Sequence, residues 1–231
     1  MDSTKKTARL AGVLYLVNGV TGFFSIIYVP SKLFVSGDAA ATAHNILASE
    51  RLLRLGIASE VICAVEYIYL LWVLYRLLSG VSKTHASLMA IFGVAFVPIM
   101  CVNAVSEIAA LTLLRGADFL PMFNQAQRES LAMLFLGVRN YGYDVGWIFG
   151  LWLFHFGVCV WKSGFLPRFL GALLIAACFG YLAVGFTSFL LPSYVNIVSR
   201  LANIPLTLGE PAAILWLLIR GAKDQPLEAA A

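Results

Sequence analysis

Charge is scarce in this chain. Only 12% of its residues are Asp, Glu, Lys or Arg, while 61% are hydrophobic and the mean hydropathy is +0.86. A soluble domain carries about twice that charged fraction. The polar residues are too few to cover a water-soluble core made from 231 residues, so the missing solvent has to be lipid. Cysteine pairs are lacking as well. Cys63, Cys101, Cys159 and Cys178 stand far apart inside apolar runs without any CxxC, which removes a disulfide or zinc-ribbon framework and leaves small buried hydrophobes. There is no HExxH, no GxSxG, no DDxxD-like cluster and no paired histidines, so the usual residues of zinc, serine-nucleophile and isoprenoid chemistry are missing. The sequence implies no cofactor. The net charge of +4 comes from basic residues standing singly at the ends of apolar runs, a pattern that calls for no nucleic-acid partner.

What the chain has instead is length without charge. Six stretches can cross the ~30 Å of bilayer hydrocarbon: Leu10 to Val29, Leu55 to Leu78, Ala86 to Leu114, Tyr141 to Val160, Phe169 to Leu190, and Ala202 to Ile219. Runs of this length satisfy their backbone in lipid only as helices, which predicts an all-α polytopic membrane bundle forming one domain over residues 1–231. The first run follows Lys5, Lys6 and Arg9 and has no small-x-small cleavage site before Pro30, so it reads as a retained span. Nine basic residues fall on the side of the termini (Lys5, Lys6, Arg9, Arg76, Lys83, Lys162, Arg168, Arg220, Lys223) and six on the other (Lys32, Arg51, Arg54, Arg115, Arg128, Arg200). By the positive-inside rule this places both termini in the cytoplasm and the chain in the cell's inner (plasma) membrane.

Between the first two spans, Asp38 follows Gly37 and can cap a helix over Ala39 to Arg54. Ala43, Ile46, Leu47 and Leu53 share its apolar side, as in a helix lying on the membrane or covering a cavity. Arg115 to Ser130 reads as the most loop-like segment, with Pro121, Asn124, Gln125 and Gln127 breaking the apolar pattern. Spans two and six echo each other: Glu66, Leu71, Trp72, Leu74 and Arg76 recur as Glu210, Leu215, Trp216, Leu218 and Arg220 at identical offsets.

Five of the twelve acids lie inside apolar spans: Glu60, Glu66, Glu107, Asp144 and Glu210. A charge at the bilayer centre costs about 3 kcal/mol on insertion scales, so such groups face the interior and are commonly functional, although a single one also serves as a protonated packing group. Glu66 and Glu210 each precede an inner arginine by ten residues, roughly 15 Å along a helix, which makes them a midplane pair. Glu60, Glu107 and Asp144 belong to the outer half, and together the five predict a polar cavity open to the outside. In span four Asn140, Asp144 and His155 fall within about 60° of one another at 100° per residue and so line one stripe. Gly142, Gly146 and Gly150 follow small-xxx-small spacing on the other side, a surface for close helix contact or for a second copy of the chain. Arg139 is the only basic residue at this depth and the natural counter-ion of Glu60 or Glu107, and Asn103 shares a helix face with Glu107. Pro205 and Pro211 flank Glu210 and would free carbonyls beside its carboxylate. His155 is a weak metal candidate, since His44 and His85 are expected in other compartments.

The segments ARLAGVLYL, GDAAATAHNILASERLLRLGI, KSGFLPRFLG and GEPAAILWLLIRG resemble, in order and over nearly the whole chain, the bacterial multi-pass membrane family known as domain of unknown function 4386. The resemblance implies a membrane architecture and assigns no activity. It places Asp38, His44, Asn45, Glu50, Arg54 and Glu210 within recurring segments without giving any of them a role.

The residues thus favour binding or transport of a cation, proton or small polar solute, with Glu60, Glu66, Asn103, Glu107, Arg139, Asn140, Asp144 and Glu210 as the site. An intramembrane enzyme acting on a lipid or isoprenoid through carboxylate or metal chemistry is the alternative, and an assembly or sensor subunit a third.

Overall fold

A computed structural model describes residues 3–117 and 121–223, and every regular element among them is helical. Six helices are long and apolar enough to cross a membrane: α1 Thr4–Leu33, α3 Glu50–Leu78, α4 Lys83–Arg115, α5 Gln125–Lys162, α6 Arg168–Leu190 and α7 Pro192–Ile219. A short helix, α2 Ala39–Ala48, stands between α1 and α3. Val20, Phe23, Ile62, Val105, Leu134, Phe179 and Leu201 lie exposed on these helices, a surface that only lipid tolerates.

The ends follow local chemistry. Asp38 Oδ1 accepts from the Ala41 N–H at 2.8 Å and starts α2, as its position after Gly37 predicts. The helix expected to run on to Arg54 stops at Ala48, and residues 50–54 open α3 instead. Ser49 has left helical geometry (φ −127°, ψ 40°) and its carbonyl receives the Leu52 N–H. Glu50 then pairs with Arg54 at 2.7 Å, one turn on. A larger correction concerns α5. It begins at Gln125, sixteen residues before the expected Tyr141, and the polar residues taken as breakers are its cap. Asn124 Oδ1 accepts from the Gln127 N–H, and Gln127 Oε1 from the Asn124 N–H, both at 2.9 Å, a reciprocal capping box.

Two long helices carry irregular turns. In α1, Phe23–Tyr28 is a widened π-helical turn, and in α5, Trp147–Gly150 is a tightened 3₁₀ turn. The second overturns the stripe predicted for Asn140, Asp144 and His155. Each 3₁₀ residue advances about 120° instead of 100°, so the face of His155 is out of phase with the residues before the turn.

Packing divides the chain into two units. The first comprises the described parts of 1–17, 66–96 and 144–231, and the second Asn18–Val65 and Val97–Tyr143. In the second unit, α2 buries Ala43 and Ile46 with Val29, Leu33, Leu53, Ala110, Leu111, Ala132 and Leu136, so it packs on helices of its own unit instead of resting on lipid alone. In the first unit, helices meet at glycines. A Cβ on Gly157 would lie 2.7 Å from the Gly171 carbonyl oxygen, and one on Gly171 would lie 2.6 Å from that of Gly157. The echo between spans two and six does not extend to burial here: Leu71 is buried whereas its counterpart Leu215 is exposed.

Candidate functional site

In the second unit the geometry is built around Arg139, on α5, which is buried although it is a cation in an apolar span. Its Nε lies 2.5 Å from Glu107 Oε1 on α4, and both side chains are almost fully enclosed. Its Nη2 donates to the Ser25 carbonyl at 3.0 Å, within the π-helical turn of α1, so the irregular turn presents an acceptor to the guanidinium. The planar group also lies over the Tyr143 ring, 4.9 Å from its centroid. Tyr143 follows Arg139 by four residues and thus shares its face, and its hydroxyl donates to Glu60 Oε1 on α3 at 2.6 Å.

Glu60 and Asn103 are 0% exposed, Glu107 and Arg139 2%. The outward-open cavity expected around these residues is, in this unit, an enclosed cluster. Among the described residues, three buried polar atoms here have neither a hydrogen-bond nor an ion-pair partner: Glu60 Oε2 and both Nδ2 and Oδ1 of Asn103. Asn103 lies one turn before Glu107 on α4 and packs against Gly142, the residue beside Tyr143; any Cβ at 142 would collide with its amide oxygen. Asn140, expected in the site, is exposed, and meets the cluster only through a 3.4 Å contact from Arg139 Nη1 to its Oδ1.

The first unit holds the other acids. Glu210 on α7 accepts from Tyr15 of α1 at Oε2 and from Tyr181 of α6 at Oε1, both at 2.7 Å. Two phenols therefore occupy the carboxylate that was expected to draw on carbonyls freed by Pro211 and on Glu66. The tyrosines belong to an aromatic core: Tyr15 lies 5.9 Å and Tyr67 5.6 Å from Trp152, ring centre to ring centre. Among the described residues no basic side chain pairs with Glu210. Glu66 is buried, and Asp144 is half-buried with its carbonyl beside Gly185 of α6. The five acids thus fall into two groups, Glu60 with Glu107 in one unit and Glu66, Asp144 and Glu210 in the other.

Two further expectations are corrected. His155 is not solitary: its Nδ1 lies 2.9 Å from that of His85, near the start of α4, and its ring stacks on Phe92 with centroids 5.7 Å apart. Two ring nitrogens at that distance share one hydrogen bond, with one imidazole donating and the other accepting. Among the described residues no three His, Cys, Asp or Glu side chains gather as a metal site would. His85→Leu is expected to cost about 1 kcal/mol, the value of one hydrogen bond, read as a lower melting temperature in detergent. The glycine stripe of span four, offered as a surface for a second copy, is covered by the chain itself: Gly142 by Asn103, Gly146 by Phe96 and Gly150 by Tyr181.

Of the residues singled out by sequence, Glu60, Asn103, Glu107 and Arg139 lie together in the second unit, whereas Tyr143, Tyr15, Tyr181, His85 and the Ser25 carbonyl enter only with the structure. A tyrosine four residues from an intramembrane arginine was the available signal for Tyr143. Nothing in the sequence marks the carbonyl.

Six apolar spanning helices with ionisable side chains in their interior define a multi-pass integral membrane protein. The family described as domain of unknown function (DUF4386) matches residues 10–221, and the chain belongs to it. An uncharacterized protein from Archaeoglobus fulgidus is 29% identical over 150 residues, which cover 65% of this chain and 74% of that one. No solved structure matches the chain.

Proposed function

We propose that the protein binds and carries a small cation or proton through the membrane, with Glu60, Glu107 and Arg139 as the binding group. One observation carries this reading: a carboxylate paired with a guanidinium and a second carboxylate held by the tyrosine one turn on from that arginine are both buried in apolar spans. With all three ionised the cluster bears one surplus negative charge, and in low dielectric that surplus calls for a bound positive charge. Tyr143 holds one oxygen of Glu60 and leaves the other to receive it. Carriage follows if the same residues meet each side of the membrane in turn, as pairs of intramembrane acids do in transporters. Asn103 belongs to this site, while Asn140 and Asp144 do not enter the reading. Glu210 lies in the other unit, where its two tyrosine bonds fit a structural role, and Glu66 is buried in that same unit. The nine-to-six distribution of basic residues supports cytoplasmic termini and a plasma-membrane location.

The experiment is ion flux into proteoliposomes, followed with a pH-sensitive dye and a membrane-potential dye. Glu60→Gln keeps the Tyr143 bond and removes the surplus charge, so it is expected to abolish flux while leaving the protein folded. Flux indifferent to this change would refute the proposal.

A further inference from the structure

The Asn103 carboxamide decides which cation the cluster suits. We infer that the positive charge is an alkali ion of the sodium class that takes Glu60 Oε2 and the Asn103 carboxamide oxygen among its ligands. This rests on the functional reading above and narrows it.

A proton would neutralise Glu60 but would occupy a single oxygen. It would leave the Asn103 amide oxygen, on a residue 0% exposed, still without a partner in an apolar interior. A hard monovalent cation prefers carboxylate and carboxamide oxygens, and it accounts for the orphaned acid oxygen and the orphaned amide oxygen together. The two residues meet consecutive positions of α5. Gly142 lies against Asn103 and the next residue, Tyr143, holds Glu60. The absence of a Cβ at 142 is what admits the amide, and a methyl there would displace its oxygen. Charge closes the argument: Glu60, Glu107 and Arg139 sum to minus one when ionised, which a monovalent ion balances and a divalent one does not.

Purified full-length protein in detergent is to be melted in sodium chloride, potassium chloride and choline chloride at equal ionic strength, with uptake of radiolabelled sodium measured in parallel. The expected result is a saturable rise in melting temperature specific to the small alkali ion. Asn103→Leu keeps the side-chain volume and removes the oxygen, and should weaken sodium binding about tenfold or more. Asn103→Asp keeps an oxygen at the same place and should still bind, which preserves the test if the leucine variant misfolds. Equal melting in all three salts, with no sodium bound, overturns the inference. If Glu60-dependent proton flux persists in that case, the broader reading survives with a proton as its ion. If flux is absent too, both fall. Sodium binding that Asn103→Leu leaves unchanged also overturns the assignment.

Discussion

Replacing Arg139 with leucine is expected to destabilise the protein by about 3–5 kcal/mol, the usual loss when one partner of a buried ion pair is removed. The cost comes less from the lost attraction than from what is left behind. Glu107, 2% exposed, would be left in an apolar interior without its counter-ion, either charged and unpaired or forced to take up a proton, the Ser25 carbonyl would lose its donor, and Tyr143 would lose the cation above its ring. Lysine is not an adequate substitute, because one ammonium on a flexible stem cannot serve Glu107 and the Ser25 carbonyl in the planar fork that guanidinium provides. The decisive comparison is Arg139→Leu with Glu107→Leu. Removing both charges takes away the isolated anion, so the double variant should regain most of the lost stability in denaturant or thermal unfolding in detergent. If the double variant is as unstable as the single, Arg139 holds the fold by packing alone and the electrostatic account of the cluster is wrong.

That cluster was half legible in the sequence. The cost of charge in lipid singles out Glu60, Glu107 and Arg139 from one chain, because few residues violate the hydropathy of a span. Helical spacing adds Asn103, four residues from Glu107. The same spacing failed for His155 because it assumes an unbroken helix, and a 3₁₀ turn at Trp147–Gly150 intervenes. No composition signal announces that turn, since Trp147, Ile148 and Phe149 suit an α-helix in a membrane equally well. The start of α5 was misread for a different reason. Asn124 and Gln127 are polar residues in a region of mixed pattern; polarity alone suggests a loop, whereas their three-residue spacing forms a cap. The convergence of all five acids was an inference from cost alone. It overlooked that a tyrosine hydroxyl, itself largely apolar, can satisfy a carboxylate, as Tyr15 and Tyr181 do for Glu210.

The glycines show the same limit and give the last expected result. Small-residue spacing drew attention to Gly142, Gly146 and Gly150, yet the neighbours of these three are side chains of Asn103, Phe96 and Tyr181. The closest meeting of two backbones noted above is at Gly157 and Gly171, one glycine on each of α5 and α6, which no motif within either helix reveals. Side chains can turn aside and main chains cannot, so the two kinds of contact should respond differently to a methyl group. Gly171→Ala would place its Cβ 2.6 Å from the Gly157 carbonyl oxygen and 2.9 Å from the Trp161 nitrogen, and the helices would have to part. A loss of about 1–3 kcal/mol is expected, growing steeply for Gly171→Leu, which should not yield a monodisperse protein. Gly80→Ala is the control, with nothing within 4 Å of the added atom, and it should melt with the parent. Were Gly171→Ala as stable as Gly80→Ala, α5 and α6 could not pack as closely as described. The first unit, which holds Glu210 and its tyrosines, would then need a different arrangement.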